Sequence, residues 1–168
     1  MARDRSAPLE VPRGTRRMVE WMLLVGVIVA LLLLFAQRVR VLQGQAELAA
    51  VKATLGALRT ALVIDHLRQN VAFGGPSVAL TQRNPFELLQ TRPLNYRGEM
   101  AMIDAMVAPG GGWVFDPVCN CVGYLPVHGQ WLVSPSGDPM AWYQLSGAPG
   151  PLELRAKEAY AWQGEVMN

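Results

Sequence analysis

The first hydrophobic pattern along the chain is an apolar run near its N-terminus. Residues 21–36 carry no charge, and the 19-residue window 18–36 contains one charged side chain, Glu20. An α-helix needs about 20 such residues to cross a hydrocarbon core roughly 30 Å thick. Because a backbone in lipid must satisfy its own hydrogen bonds, the run is expected to be helical. The pattern therefore predicts a transmembrane helix over residues 18–37.

A second pattern continues the helix beyond this run. Apolar residues recur at steps of three and four, which is the stripe of an amphipathic helix. The members of this leucine stripe are Leu48, Val51, Leu55, Leu58 and Leu62. No proline occurs between residues 18 and 73. We therefore predict one helix from about residue 17 to about residue 70, whose amphipathic part, 38–72, packs on the rest of the protein.

Turn residues separate this helix from the remainder of the chain, residues 73–168. FGGPS at 73–77 is typical of a helix end, because glycine permits the left-handed cap and proline cannot continue the helix. NPFELLQ at 84–90 has a capping-box arrangement and predicts a short helix. TRPLNYRGEM at 91–100 is expected to be a loop.

From residue 110 onward, short apolar and aromatic runs alternate with turn residues, as in antiparallel sheets. The predicted strands form one hairpin of 112–115 with 121–127, a second of 130–133 with 140–145, and a single strand at 152–157. GAPGP at 147–151 is expected to be a tight connection. An antiparallel sheet offers one face to a helix. The predicted fold class is therefore α+β, with a long N-terminal helix packed on a small antiparallel sheet.

Charge suggests how the apolar run is oriented. Residues 1–17 contain five arginines and two acids, whereas only Arg38 and Arg40 flank the other end closely. By the positive-inside tendency, 1–17 is expected to be a cytoplasmic leader and 73–168 an extracytoplasmic head, periplasmic in a Gram-negative host. A secretory signal peptide is the alternative, but the length of the run and the lack of an obvious cleavage site favour a retained anchor.

Composition narrows the function classes. The chain is 51% apolar over 168 residues and has a net charge of only +2. This balance, without a basic face interleaved with aromatics, argues against nucleic-acid binding. The sequence contains no phosphate-binding loop, no dinucleotide-binding glycine pattern and no G-x-S-x-G context. We therefore expect no catalytic residues, no cofactor and no metal site, and a function that is not enzymatic.

Cys119 and Cys121, in VCNCVG, are the only cysteines. Three interpretations stay open: two small apolar residues near a turn, a disulfide across one residue, or a metal site. C-x-C with only His66 and His128 as further soft ligands does not reproduce a zinc pattern. The pair is therefore kept as a candidate disulfide.

The layout resembles the type IV pilin and type II secretion pseudopilin superfamily, which includes minor pilins. The resemblance rests on the basic leader, on Glu20 near the start of the apolar helix, and on AQRVRVLQGQAELAAVKATLGALRTAL at 36–62. NPFELLQTRPLNYRGEM followed by GGWVFDP is similar to minor pilin-like proteins in which a short helix and an NY-x-G segment precede a WxFD hairpin. The resemblance implies a single-pass inner-membrane protein whose partners are lipid and other pilin-like subunits or assembly proteins.

Glu20 has two interpretations. The resemblance implies that it meets the N-terminal amine of a neighbouring subunit inside an apolar fibre and sets the register. Alternatively, it reaches interfacial water and pairs with Arg16 or Arg17 on the preceding turn. The leader is non-standard, because Gly14 lies one residue too early for the family's cleavage position. The chain is therefore expected to stay uncleaved and anchored.

Two functions remain open at this point. The resemblance implies a minor pilin- or pseudopilin-like component of a pilus or secretion assembly, in which the leucine stripe is covered by the protein's own sheet. The alternative is a single-pass envelope scaffold that dimerises through a periplasmic coiled coil. In that case the stripe would stay available to a partner chain.

Overall fold

The computed structural model describes residues 13–73, 83–147 and 152–167. Most of the predicted leader, residues 1–12, lies outside these residues, as do most of FGGPS at 73–77 and of GAPGP at 147–151. The chain divides into two compact units, Met1–Gln43 and Gly44–Asn168.

The long N-terminal helix predicted from the sequence is confirmed as α1, Arg13–Phe73. It makes up the described part of the first unit and supplies the first element of the second. Its glycines do not interrupt it, because a helix tolerates each at a cost of about 1 kcal/mol relative to alanine.

The second unit is built from short strands. In chain order the strands are β1 (Tyr96–Glu99), β2 (Gly112–Asp116), β3 (Cys121–Leu125), β4 (Leu132–Val133), β5 (Ala141–Ser146), β6 (Glu153–Ala156), β7 (Tyr160–Trp162) and β8 (Glu165–Met167). Among the described residues they form a five-stranded sheet in the order β1-β2-β3-β5-β6 and a three-stranded sheet in the order β4-β7-β8. The α+β fold class is confirmed.

The first predicted hairpin is present and the second is wrong. β2 and β3 pair antiparallel, with Trp113 opposite Tyr124 and Asp116 opposite Cys121. β4 and β5, however, do not pair with each other, since β4 pairs with β7 and β5 lies between β3 and β6. Glu158 accepts hydrogen bonds from Ser134 Oγ at 2.7 Å and Ser136 N at 3.1 Å, so the turn between β4 and β5 is held near the start of β7.

The loop predicted at 91–100 is also partly wrong. Its centre forms β1, which pairs with β2 in parallel and makes the larger sheet mixed. The register shifts between Tyr96 and Glu99, and Gly98 lies between them at a φ of 100°. A four-residue edge strand with such an irregularity carries no alternating pattern. A short helix, α2 (Met102–Met106), follows it and was not predicted.

The short helix predicted at 84–90 is present as a 3₁₀ helix, Pro85–Leu88. Asn84 Oδ1 accepts a hydrogen bond from Phe86 N at 3.0 Å, as its N-cap position requires. The amide Nδ2 of Asn84 donates to the Tyr96 hydroxyl at 2.6 Å, and the Phe86 ring stacks on the Tyr96 ring at 4.2 Å. These contacts fix the segment to β1.

The main core of the second unit contains the leucine stripe of α1 and side chains from both sheets. All five stripe residues are buried, with exposed fractions of 7% or less. They share this core with large aromatic side chains, namely Phe86, Trp113, Phe115, Tyr124, Trp131, Tyr143, Tyr160 and Trp162. Burying a leucine or valine side chain contributes about 1.5–3 kcal/mol, so the stripe is a principal source of the stability of this unit.

Leu58→Ala should destabilise the second unit by about 2–5 kcal/mol, because Leu58 is 0% exposed and its truncation leaves a cavity. Leu67→Ala is the matched control on the same helix, since Leu67 is 56% exposed, and it should change the unfolding free energy by less than about 1 kcal/mol. Denaturant unfolding of the full chain in detergent micelles, followed by tryptophan fluorescence, measures both. Equal effects would contradict the assignment of the stripe to the core.

Candidate functional site

The apolar part of α1 exposes its side chains in every direction. Consecutive residues of a helix point about 100° apart, and residues 21–25 and 31–35 are exposed without a break. Among the described residues, α1 is the one helix long and apolar enough to cross a membrane. A helix that is apolar all round is typical of a membrane span or of the core of a large protein.

Glu20 lies at the start of this apolar surface and pairs locally. Arg16 Nε donates to Glu20 Oε1 at 3.2 Å, one helical turn away, and the two side chains are 81% and 62% exposed. An exposed pair at this spacing contributes about 0.3–0.5 kcal/mol. This contact is the one foreseen in the water-facing interpretation of Glu20, and the role in subunit register stays a prediction.

The leucine stripe is flanked by polar contacts between α1 and the sheets. One of them involves Glu47, whose Oε1 accepts from the Tyr124 hydroxyl at 2.7 Å and from Val127 N at 2.8 Å. Burial raises the pKa of Tyr124, and the hydrogen bond to the Glu47 carboxylate raises it further. One carboxylate thus links the first turns of the stripe to β3 and to the residues that follow it.

Trp162 and two further side chains continue this series of contacts. The buried indole Nε1 of Trp162, in β7, donates to the carbonyl oxygen of Gly44 at 2.9 Å. Lys52 pairs with Glu165 in β8, and Arg59 Nη2 donates to the carbonyl oxygen of Leu154 in β6 at 3.4 Å. We refer to the leucine stripe with these polar contacts as the helix–sheet seam.

Sequence reasoning found the apolar half of the helix–sheet seam and missed its polar half. Glu47 precedes the first leucine of the stripe and reads as an ordinary solvent-facing acid. The available signal was the excess of tyrosine and tryptophan in the last third of the chain. When these side chains are buried, the tyrosine hydroxyl and the indole N–H usually form a hydrogen bond with a partner. Tyr124 donates such a bond to Glu47, and Trp162 donates one to the carbonyl oxygen of Gly44.

Cys119 and Cys121 are paired as a disulfide in the structure, which agrees with one of the three interpretations of the pair. They lie at the turn between β2 and β3, beside the buried carboxylate of Asp116. Asp116 Oδ1 accepts from Val118 N at 2.8 Å and Oδ2 accepts from Met102 N at 2.9 Å. The aspartate therefore stabilises the turn locally, as its sequence context predicts, and also holds the start of α2.

Comparisons with known proteins do not extend the resemblance to pilins and pseudopilins beyond the fold. No protein-family model, curated protein or solved structure matches this chain significantly. The structure supports the coarser statement that a long, initially apolar N-terminal helix precedes a small sheet, loosely consistent with a pilin-like arrangement. Membership of a particular assembly is therefore argued below as a proposal.

The unfolding free energy of the second unit should fall as the pH rises above about 10. The reason is that burial raises the pKa of Tyr124 and Tyr143 above the ordinary tyrosine value of 10.0. Above that pH the unfolded chain loses phenolic protons that the folded chain keeps, so the unfolded state gains stability. Below it this contribution is constant. Denaturant unfolding over an alkaline pH series measures the slope.

Tyr143→Phe is the clean test of this slope. The Tyr143 hydroxyl is buried and has no hydrogen-bond partner among the described residues, so the change removes an ionisable group without breaking a bond. The variant should show a shallower alkaline decline than the original chain. An unchanged slope would contradict the assignment.

Proposed function

We propose that this chain is a membrane-anchored minor pilin- or pseudopilin-like component of a type IV pilus or type II secretion assembly. It acts without catalysis, by packing its apolar helix against helices of other subunits while the head is presented outside. The observation that carries the proposal is the contrast along α1, whose residues 21–36 form an exposed apolar surface while its leucine stripe is buried in the core of the second unit.

The exposed apolar surface requires a non-aqueous environment. Covering each of its large side chains is favourable by about 1.5–3 kcal/mol, so their sum favours insertion into lipid strongly. Within lipid, helices associate through close packing and through polar side chains rather than through the hydrophobic effect. An anchor of this kind can therefore serve both as a membrane span and as a subunit contact.

The proposed orientation follows from charge. The arginine-rich residues 1–17 favour the cytoplasmic side, which puts the head in the periplasm of a Gram-negative host and the anchor in the inner membrane. A disulfide between Cys119 and Cys121 suits such an oxidising compartment.

Glu20 is the proposed register residue. Its pair with Arg16 is exposed and weak, so the carboxylate can exchange that partner for a cation on a neighbouring subunit at little cost. In an apolar surrounding an unpaired carboxylate is costly, and a matching amine then selects one relative position of the two helices.

The envelope scaffold is the second candidate, and one observation favours it. Val63, Ile64, Leu67 and Val71 are exposed on the last turns of α1, at spacings that a coiled-coil seam uses. This patch covers fewer than two heptads, whereas a stable coiled coil needs about three or four. Because the longer leucine stripe is occupied by the protein's own sheets, the pilin-like function has the better support.

Glu20→Ala should reduce contacts between anchors at least about tenfold, because the neighbouring cation loses its partner in an apolar environment. The measurement is photo-crosslinking in the native host from a probe at Leu32, within the apolar run. Glu153→Ala removes an exposed head carboxylate and is the matched control, with unchanged crosslinking. All variants should stay in the membrane pellet after carbonate extraction. Unchanged crosslinking in Glu20→Ala would support the water-facing interpretation instead.

A fragment that begins at Gly44, the start of the second compact unit, should be monomeric in solution. The reason is that its leucine stripe is already buried, which leaves no long apolar seam for a partner helix. Sedimentation equilibrium measures this over a range of concentrations. Obligate dimers that are dissociated by Leu67→Glu would support the envelope scaffold and reject the pilin-like proposal.

A further inference from the structure

The disulfide of the head lies at a turn, and its two cysteines differ in solvent exposure. Cys121 opens β3 and is 0% exposed, whereas Cys119 is half-buried in the preceding turn. We propose that this disulfide is an exchange site that accepts electrons from a protein dithiol, with Cys119 as the sulfur that is attacked. This activity goes beyond anchoring and assembly and does not depend on them.

The disulfide contributes little to the stability of the fold. A disulfide stabilises a protein mainly by closing a loop of the unfolded chain, and the effect decreases as that loop shortens. Here the closed loop contains Asn120 alone. A bond that restricts so little of the unfolded chain is poorly explained as a structural brace.

Contacts other than the disulfide hold the turn. β2 and β3 are paired from Gly112 and Leu125 to Asp116 and Cys121. The Asp116 carboxylate accepts hydrogen bonds from the amide of Val118, within the turn, and from the amide of Met102, in α2. Leu145 N, in β5, donates to the carbonyl oxygen of Asn120 at 3.1 Å. The hairpin can therefore keep its shape when the sulfur–sulfur bond opens.

The surface around Cys119 favours a protein as the partner. Val118, the residue before it, is 89% exposed. The amides of Val118 and Met102 share the Asp116 carboxylate, so the start of α2 lies beside the turn, and Ile103, the next residue of α2, is 80% exposed. An apolar surface next to a reactive sulfur suits a protein carrying a dithiol rather than a small hydrophilic thiol.

The exchange proceeds in two displacements. A thiolate of the partner attacks Cys119 Sγ, the bond between the cysteines breaks, and Cys121 leaves with its electron pair and takes up a proton. The partner's second thiolate then attacks the partner sulfur of the mixed disulfide, which releases Cys119 as a thiolate that is also protonated. Two electrons and two protons pass to the cysteines, and the partner dithiol becomes a disulfide.

Single-cysteine variants of the full chain in detergent micelles test which sulfur is attacked. With oxidised glutathione as the probe, Cys119 in Cys121→Ser should form the mixed disulfide at least about tenfold faster than Cys121 does in Cys119→Ser, because exchange follows access. Intact-mass measurement gives both rates. In concentrated guanidinium chloride the two rates should become equal. Equal rates in the folded chains, or faster reaction at Cys121, would overturn the proposal.

The original chain supplies a test that needs no cysteine replacement. A small protein carrying a reduced C-x-x-C dithiol is added, and the reaction is quenched with N-ethylmaleimide. We expect two alkylated cysteines in a head whose thermal unfolding remains cooperative. Alkylation only after the head unfolds would overturn the proposal even if the single-cysteine variants fail to fold.

Val118→Glu tests the protein partner separately. It should slow reduction by the dithiol protein at least about tenfold and leave the reaction with reduced glutathione unchanged, because only the protein needs the apolar surface. Val133→Glu alters an exposed valine of β4 and is the control, with both rates unchanged. If Val118→Glu leaves both rates unchanged, a protein dithiol is the wrong partner.

Discussion

Apolar surface that must be kept from water is the constraint on which this structure depends. α1 presents such surface in two forms: an all-round apolar stretch in the first unit and a one-sided stripe in the second. The stripe is covered by two small sheets that carry most of the large aromatic side chains. Both sheets contribute apolar side chains to the core that contains the stripe, so the sheets and the helix bury each other's apolar faces.

Polar groups decide how the helix lies on those sheets. An apolar stripe alone tolerates sliding, because hydrophobic contacts have no direction. The hydroxyl of Tyr124 and the indole of Trp162 have direction, and their partners, Glu47 and the Gly44 carbonyl, lie at the start of the stripe. A shift of the helix would leave these buried groups unpaired, at a cost of about 1–3 kcal/mol each. The polar contacts of the helix–sheet seam therefore fix the position of the helix on the sheets, which the apolar contacts alone would not do.

The sequence revealed the parts of this fold that depend on local pattern. The periodicity of the leucine stripe predicts α1, and the Asp116–Pro117 turn predicts the β2–β3 hairpin. β1, β7 and β8 contain three or four residues each and were not predicted, because strands this short show little alternation. The turn residues indicated where the chain reverses direction. They did not indicate which strands pair after the turn, so the second predicted hairpin was wrong. The Glu47–Tyr124 contact joins residues 77 apart in the chain, beyond the reach of any local pattern.

Two carboxylates of α1 illustrate how the same group serves different purposes along one helix. Glu47 accepts two hydrogen bonds from the head and is committed to the fold, so replacing it would act through stability. Glu20 bonds to an exposed arginine on its own helix, and this exposed pair contributes little to folding. The local pair leaves the Glu20 carboxylate accessible beside the apolar run. The benefit that we propose for Glu20 lies outside the folded chain, in contact with a neighbouring subunit.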